Sequence, residues 1–340
     1  MTRTQSAVAL GGLFVGASLV AREMRSRRAI DLEDRVVLIT GGSRGLGLLM
    51  AREFGRLGAR VILAARDEAE LQRAQHDLRS QEISATILVA DIATESQAHG
   101  VVAEAIDRHG RLDVLVNNAG VIPVGPVDHM TVADFEEAMA THFWGPLHTM
   151  FAAIPHMRRS GGGRIVNISS IGGRIGVPHL AAYCASKFAL TGVSTALRAE
   201  LARDNVLVTT VCPGLMRTGS PFNAWFKGRH RAEFAWFAIA DSLPVISIDG
   251  RRAAAQIVDA ARHGDCELVV TWPARLAIAA AAVAPCTFAR AMQLVNRALP
   301  SPTGALGNES HSGWHSRSSW APSLLTRPTE RSAAENNELP

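Results

Sequence analysis

Short apolar runs alternate with longer amphipathic stretches from about Arg35 to Val270. The first run, Arg35-Val-Val-Leu-Ile-Thr40, is β-branched and lacks polar alternation, the pattern of a strand buried on both faces of a parallel sheet. A second, Arg60-Val-Ile-Leu-Ala-Ala65, has the same character, and comparable runs lead to Asp91, Asn117, Asn167 and Pro213. Between them the apolar spacing predicts helices at about 67–80, 94–109, 132–159 and 183–203. Strands that alternate with helices need crossovers, and crossovers bring parallel strands together. The predicted fold is therefore α/β: a doubly wound, Rossmann-type, mainly parallel sheet of six to seven strands with helices on both faces. It fills one domain, 32–272.

The flanks break this rhythm. Residues Ala7 to Ala21 are apolar and uncharged, and Arg22, Arg25, Arg27 and Arg28 follow. A spanning helix needs about 20 apolar residues, so this stretch is short for one. It reads as a membrane anchor or interfacial helix within an N-terminal segment, 1–31. The arginines behind it would keep the folded domain cytoplasmic, attached to the inner face of the membrane. A signal peptide fits poorly with an arginine cluster at the cleavage point. Beyond the domain, an apolar extension at 273–300 contains Leu276 to Ala284, stopped by Pro285. It would rest on a membrane, cover a cleft, or pack as a core helix, the last being the ordinary outcome. From Ser301 to Pro340 the chain is rich in Ser, Pro, Gly and Asn without period, and is expected to be disordered.

Composition narrows the function. The net charge of +4 comes from arginines spread along the chain, with no aromatic-interleaved basic patch, which argues against nucleic acid. Cys184, Cys212, Cys266 and Cys286 lie far apart, as free thiols in a reducing compartment do. The histidines form no H-E-x-x-H, and His311 and His315 fall in the polar tail, so no metal is expected.

The chemistry begins where the first strand ends. Gly41-Gly42-Ser43-Arg44-Gly45-Leu46-Gly47 joins that strand to the helical pattern from Leu48. Such a turn aims backbone N–H groups of a helix N-terminus at phosphates, and glycine lets the backbone come close. An acidic residue ending the second strand would bind the ribose 2′-hydroxyl of NAD. Ala65 stands there, Arg66 follows, and Arg44 lies in the loop. Two guanidiniums suit a 2′-phosphate, so NADP(H) is favoured over NAD(H), with Asp67 open as an offset acidic ligand.

Tyr183 is the chain's one tyrosine, and Lys187 is one of two lysines. Four residues apart on a helix, their side chains share a face. An ammonium near a phenol favours the phenolate and lowers its pKa from about 10. The same spacing occurs on ordinary surface helices, so the pair gains its meaning from the rest of the chain.

With these motifs in order, the chain from Asp34 to Val270 resembles the classical short-chain dehydrogenase/reductase family. The motifs are Thr40-Gly41-x-x-x-Gly45-x-Gly47, Asp91-Ile92, Asn117-Asn118-Ala119-Gly120, Asn167-Ile168-Ser169-Ser170, Tyr183-x-x-x-Lys187 and Pro213-Gly214. The resemblance implies that Tyr183 is the general acid/base and that Lys187 lowers its pKa and holds the nicotinamide ribose. Ser170, at the family's spacing before Tyr183, would hold the substrate oxygen in preference to Ser169. Asp91 would meet the adenine, Asn118 would border the cofactor, and Thr218 would reach the nicotinamide carboxamide. Thr40, Gly41, Ser43, Arg44, Gly45, Leu46, Gly47, Arg66, Ile92, Ala119, Gly120, Pro213 and Gly214 complete the cofactor set. In one place the chain departs: His142 stands where the family has an asparagine that holds a proton-relaying water. A histidine can itself relay protons, or simply fill the space. The family also implies a homodimer or homotetramer built on the helices near 132–159 and 183–203.

After Thr218 come Phe222, Trp225, Phe226, Phe234, Trp236 and Phe237. They read either as the wall of an apolar substrate pocket or as ordinary packing. The expected function is an NADP(H)-dependent oxidoreductase acting on a lipophilic ketone or secondary alcohol. The alternative is a membrane-associated binding or scaffold protein of the same fold with little turnover.

Overall fold

In the computed structural model of the chain, residues 22–339 are described; the anchor expected at Ala7 to Ala21 lies outside them. Seven strands form one parallel sheet: β1 Val36–Thr40, β2 Arg60–Ala65, β3 Ala85–Val89, β4 Val114–Asn117, β5 Gly163–Ile168, β6 Val206–Cys212 and β7 Glu267–Val269. Their order is β7-β6-β5-β4-β1-β2-β3. The order reverses beside β1, and in such sheets the ligand crevice opens at the carboxyl ends of the strands there. Runs that lack polar alternation end up covered on both faces. Every residue of β1, β4, β5 and β6 is buried.

Helices pack on both faces. α1 Gly45–Arg56, α2 Glu68–Ser80 and α8 Gly250–His263 cover one face, where Leu48, Phe54, Leu71 and Ile257 close the core. α3 Glu95–His109, α5 Gly145–Arg159 and α6 Ala181–Leu201 cover the other, around Val102, Met150, Met157 and Leu201. The helix expected at 132–159 is α4 Val132–Met139 joined to α5 through a π turn, Ala140–Trp144. Pro146 explains the turn: it has no N–H to return to the preceding turn, so the wider register forms where the ladder is already broken.

Two expectations about the flanks change. Residues 22–31 are not a free leader. Arg25 forks onto Asp265 and Asp259, and the Ile30 amide donates to the Arg262 carbonyl at 3.0 Å. The apolar extension is not a core helix either. α9 Trp272–Val283 buries only Ala274, and α10 Pro285–Ala298 buries nothing. Pro285 breaks the run, and the two halves form a hairpin with Trp272, Leu276, Val283 and Leu294 exposed. No helix among the described residues is long and apolar enough to cross a membrane.

The expectation of a disordered tail is corrected by the structure as well. His230 is stacked on His311, and Phe222 on Trp314. The tail then forms α11 Arg327–Glu335, which seats Thr329 against Ser242 of α7 His230–Ser242. Its few apolar residues suffice because the segment 219–242 after β6, the lid, offers a ready-made aromatic surface around Phe222, Phe226 and Phe234.

Candidate active site

A cleft of about 610 Å³ opens at the carboxyl ends of β1, β2, β4, β5 and β6. The glycine loop forms its floor. Gly41 takes a φ of +64° and Gly45 one of +54°, conformations that glycine adopts without strain. A Cβ at Gly47 would strike the Gly41 carbonyl, so that glycine lets α1 pack on the strand end. The loop is pinned from β4. The Asn118 and Ala119 amides both donate to Thr40 Oγ1, and Asn118 Nδ2 donates to the Thr40 and Gly41 carbonyls at 3.1 and 2.9 Å. Thr40 and Asn118 thus shape a cradle at the N-terminus of α1 whose backbone N–H groups suit anionic oxygens such as those of a dinucleotide pyrophosphate, and in this structure the Gly45 amide and its Cβ-less side are met by Asn336 and Glu338 of the tail.

At the end of β2 the register places Ala65 opposite Val89 of β3, so no carboxylate ends the strand. Asp67 N-caps α2 through one oxygen, accepting from the Glu70 amide at 2.8 Å, and is exposed on the cleft. Arg66 is largely exposed and approaches Asp91 at 4.0 Å. Asp91 caps its own turn by accepting from the Ala93 amide. Ile92 and Gly120 line the neighbouring wall. Arg44 is held at 2.6 Å by Glu70, whose other oxygen accepts from the Ser43 hydroxyl. Glu70 is a cleft residue that the motifs do not reveal, because its partner lies 26 residues away in sequence.

Across the cleft, α6 brings Tyr183 and Lys187 to one face. Lys187 Nζ donates to the Ile168 carbonyl at the end of β5 at 2.8 Å and lies 5.7 Å from the Tyr183 ring centroid. The expected lowering of the phenol by the ammonium does not appear in this geometry. Burial dominates both groups, pushing Tyr183 up to about 12 and Lys187 down to about 7. The group that favours the phenolate is Ser170, through a hydrogen bond to the phenol. Ser169 is otherwise engaged: its hydroxyl bonds the Lys187 carbonyl and Thr191. Ser170 Oγ accepts from the Gly172 amide at 3.0 Å and lines the cleft.

His142 is buried in the π turn, edge-on to Tyr183 with centroids 5.4 Å apart. The Val121 amide donates to its Nε2 at 3.1 Å, which places the proton on Nδ1, 2.8 Å from Ser186 Oγ. Ser186 donates onward to the Tyr183 carbonyl. Burial and the Lys187 charge hold His142 well below the usual imidazole range. Both ring nitrogens are engaged within the protein, and through Ser186 the ring buttresses the Tyr183 backbone.

Pro213, Gly214, Met216 and Thr218 close the far side. Of the six aromatics after Thr218, only Phe237 reaches the cleft; Phe222, Phe226 and Phe234 pack on one another under the lid. Ile122, Leu180 and Met216 join Phe237 as apolar lining. Two further acids line the cleft. Asp241 accepts from the Met216 amide, and burial raises it to about 8. The sequence motifs do not mark it; the signal that could have is an acid directly after the apolar Ala238-Ile239-Ala240. Glu338 comes from the tail, where no sequence pattern marks it. Among the described residues one group of possible metal ligands stands apart from the cleft, Glu95, His99 and His148 on α3 and α5.

Comparison with known proteins agrees with this geometry. The family model described as short chain dehydrogenase matches residues 35–224. A dehydrogenase/reductase SDR family protein 7-like of Anopheles gambiae is 37% identical over 224 residues, 64% of this chain and 69% of the relative. A granaticin polyketide synthase putative ketoacyl reductase of Streptomyces violaceoruber is 38% identical over 189 residues, 54% of this chain and 68% of the relative. Among solved structures, a variant of actinorhodin polyketide ketoreductase with NADPH superposes with a TM-score of 0.63 at 30% identity. It covers 70% of this chain and 95% of its own.

Proposed function

The chain belongs to the short-chain dehydrogenase/reductase family of oxidoreductases, and on that premise we propose that it interconverts a lipophilic ketone and its secondary alcohol using NADP(H). The observation that carries this reading is the convergence of Ser170, Tyr183 and Lys187 on the cleft floored by the glycine loop. A bound nicotinamide would supply or accept the hydride. Tyr183 gives the proton to, or takes it from, the substrate oxygen at its hydroxyl. Ser170 hydrogen-bonds that oxygen and supports the charge that develops there. Lys187 Nζ, anchored on the Ile168 carbonyl, holds the nicotinamide ribose. His142 fixes the Tyr183 backbone through Ser186. The preference for NADP(H) is supported by Ala65 at the strand end and by Arg44 and Arg66 on the cleft wall beside it. An apolar substrate is supported by Ile122, Leu180, Met216 and Phe237. The same reading includes a homo-oligomer, supported by exposed Phe151 and Phe188 on α5 and α6, and attachment to a membrane through Ala7 to Ala21.

The test is a screen of lipophilic ketones and secondary alcohols with both cofactors, beside binding titrations of NADPH and NADH. Turnover with tighter NADPH binding is expected, and Arg66→Asp should weaken NADPH selectively. Binding without turnover on any apolar carbonyl would favour the scaffold alternative. Equal or tighter NADH binding would overturn the cofactor preference.

A further inference from the structure

The tail does more than cover the lid. α11 delivers Asn336, Asn337 and Glu338 into the glycine cradle, and each lands on a loop group. The Gly45 amide, the first N–H of α1, donates to the Asn336 carbonyl at 2.9 Å. Asn337 Nδ2 donates to the Ser43 carbonyl at 2.9 Å and to the Glu70 carbonyl at 3.0 Å. The Glu338 carboxylate lies against Gly45 on the side where that residue has no Cβ: a methyl group built there would collide with Glu338 Oε1. Asn223 donates to the same carboxylate, Arg44 approaches it at 3.8 Å, and the side chain is almost fully buried.

This seat is built from several elements. Arg52 on α1 donates to Asn336 Oδ1 at 2.8 Å and to the Glu335 carbonyl at 2.9 Å. Arg73 on α2 donates to Asn337 Oδ1, and Arg251 on α8 pairs with Glu335 at 2.9 Å. Gly219 packs directly on Ala333, where a Cβ would strike backbone. A structureless tail has no reason to consume this many donors. The bare face of Gly45 at a helix N-terminus is where a dinucleotide pyrophosphate approaches. The strap's carbonyl and carboxylate oxygens stand there in place of phosphate oxygens.

We propose that residues 336–338 are an autoinhibitory strap that occupies the pyrophosphate cradle and must leave for the cofactor to bind. The inference rests on the cofactor reading above. Two ligands that use one Gly45 amide and one Gly45 face exclude each other, so the strap lowers the apparent cofactor affinity by the fraction of molecules in which it is undocked. A strap docked in about nine molecules of ten weakens that affinity about tenfold.

The experiment uses the full chain as wild type, as Glu338→Ala and as Asn337→Ala. NADPH binding is followed by its own fluorescence, and hydrogen exchange of the segment 329–339 is measured with and without NADPH. The expected result is roughly tenfold tighter NADPH binding in both variants, with faster exchange of 329–339 in wild type when NADPH is added. Unchanged or weaker binding in the variants, with that segment equally or better protected by NADPH, would overturn the strap while leaving the cofactor reading intact. Absence of NADPH binding in all three chains would overturn the cofactor reading, and the strap with it.

Discussion

The proposed function concentrates its proton transfer in the Tyr183 hydroxyl, and burial raises that phenol to about 12. It is therefore a neutral proton donor in the cofactor-free cleft. Tyr183→Phe keeps the ring that packs edge-on against His142 and removes only the hydroxyl. General acid/base catalysis contributes about 10²–10⁴-fold, so kcat/KM should fall by at least that range while NADPH binding stays near wild type. A variant within a few-fold of wild type would end the mechanism, because the chain has no second tyrosine to substitute. Lys187 makes a different prediction. Folded, it releases its proton near 7; unfolded, only near 10.5. Between those values the unfolded chain binds more protons, so stability rises with pH, and below pH 7 the buried charge carries its full cost. Urea midpoints of the cofactor-free wild type should therefore climb from pH 7 to pH 9 relative to Lys187→Met. Parallel curves would mean that Lys187 is not desolvated as its surroundings require.

At the scale of the element, the strand-loop-helix unit from Val36 to Arg56 assigns different work to glycines two positions apart. Gly47 serves the fold: a methyl there meets the Gly41 carbonyl and Asn118 Nδ2, both held by the pins from β4. Gly47→Ala should cost about 1–3 kcal/mol, the range for overpacking a tight contact, visible as a lower Tm. On the proposed cofactor reading Gly45 serves the ligand: within the protein its added methyl meets only the movable Glu338 side chain. Gly45→Ala should lose NADPH binding more than tenfold, the scale set by about 1.4 kcal/mol. Its stability loss should be smaller than that of Gly47→Ala, since only the positive φ of Gly45 strains the fold. If the two variants lose stability and binding in the same proportion, this division of labour is wrong.

For the whole molecule, the exposed aromatic faces of α5 and α6 bear on assembly. Light scattering at micromolar concentration should report a dimer or tetramer, and Phe151→Asp should shift it toward monomer. A wild-type monomer would remove the homo-oligomer from the proposed function. Membrane attachment is tested by fractionating the full chain against one lacking residues 1–21. The cut belongs there because residues 22–31 dock on α8 through Arg25 and Ile30. The shortened chain should keep its fold and leave the membrane fraction; if both chains stay soluble without detergent, the anchor fails.

The sequence by itself determined the parallel sheet, since unalternating runs such as Val36–Thr40 have no stable place except between two layers of helices. It also determined the glycine cradle and the Tyr183–Lys187 face, because both are set by spacing within one or two adjacent elements. Only the tertiary structure decided what depends on partners distant in the chain. Whether Tyr183 is lowered by Lys187 or raised by burial turns on how much water the assembled cleft admits. Whether His142 relays or braces depends on Val121 and Ser186 meeting its two nitrogens. Whether α9 packs as core or stands exposed depends on what surface remains once the sheet is covered. The tail is the extreme case: its polar composition reads as disorder, yet its order comes from donors on Arg52, Arg73, Asn223 and Gly45, each more than a hundred residues from the tail residue it meets. Composition reports how much apolar surface a segment can bury against itself; it carries no information about a seat that other elements have already built.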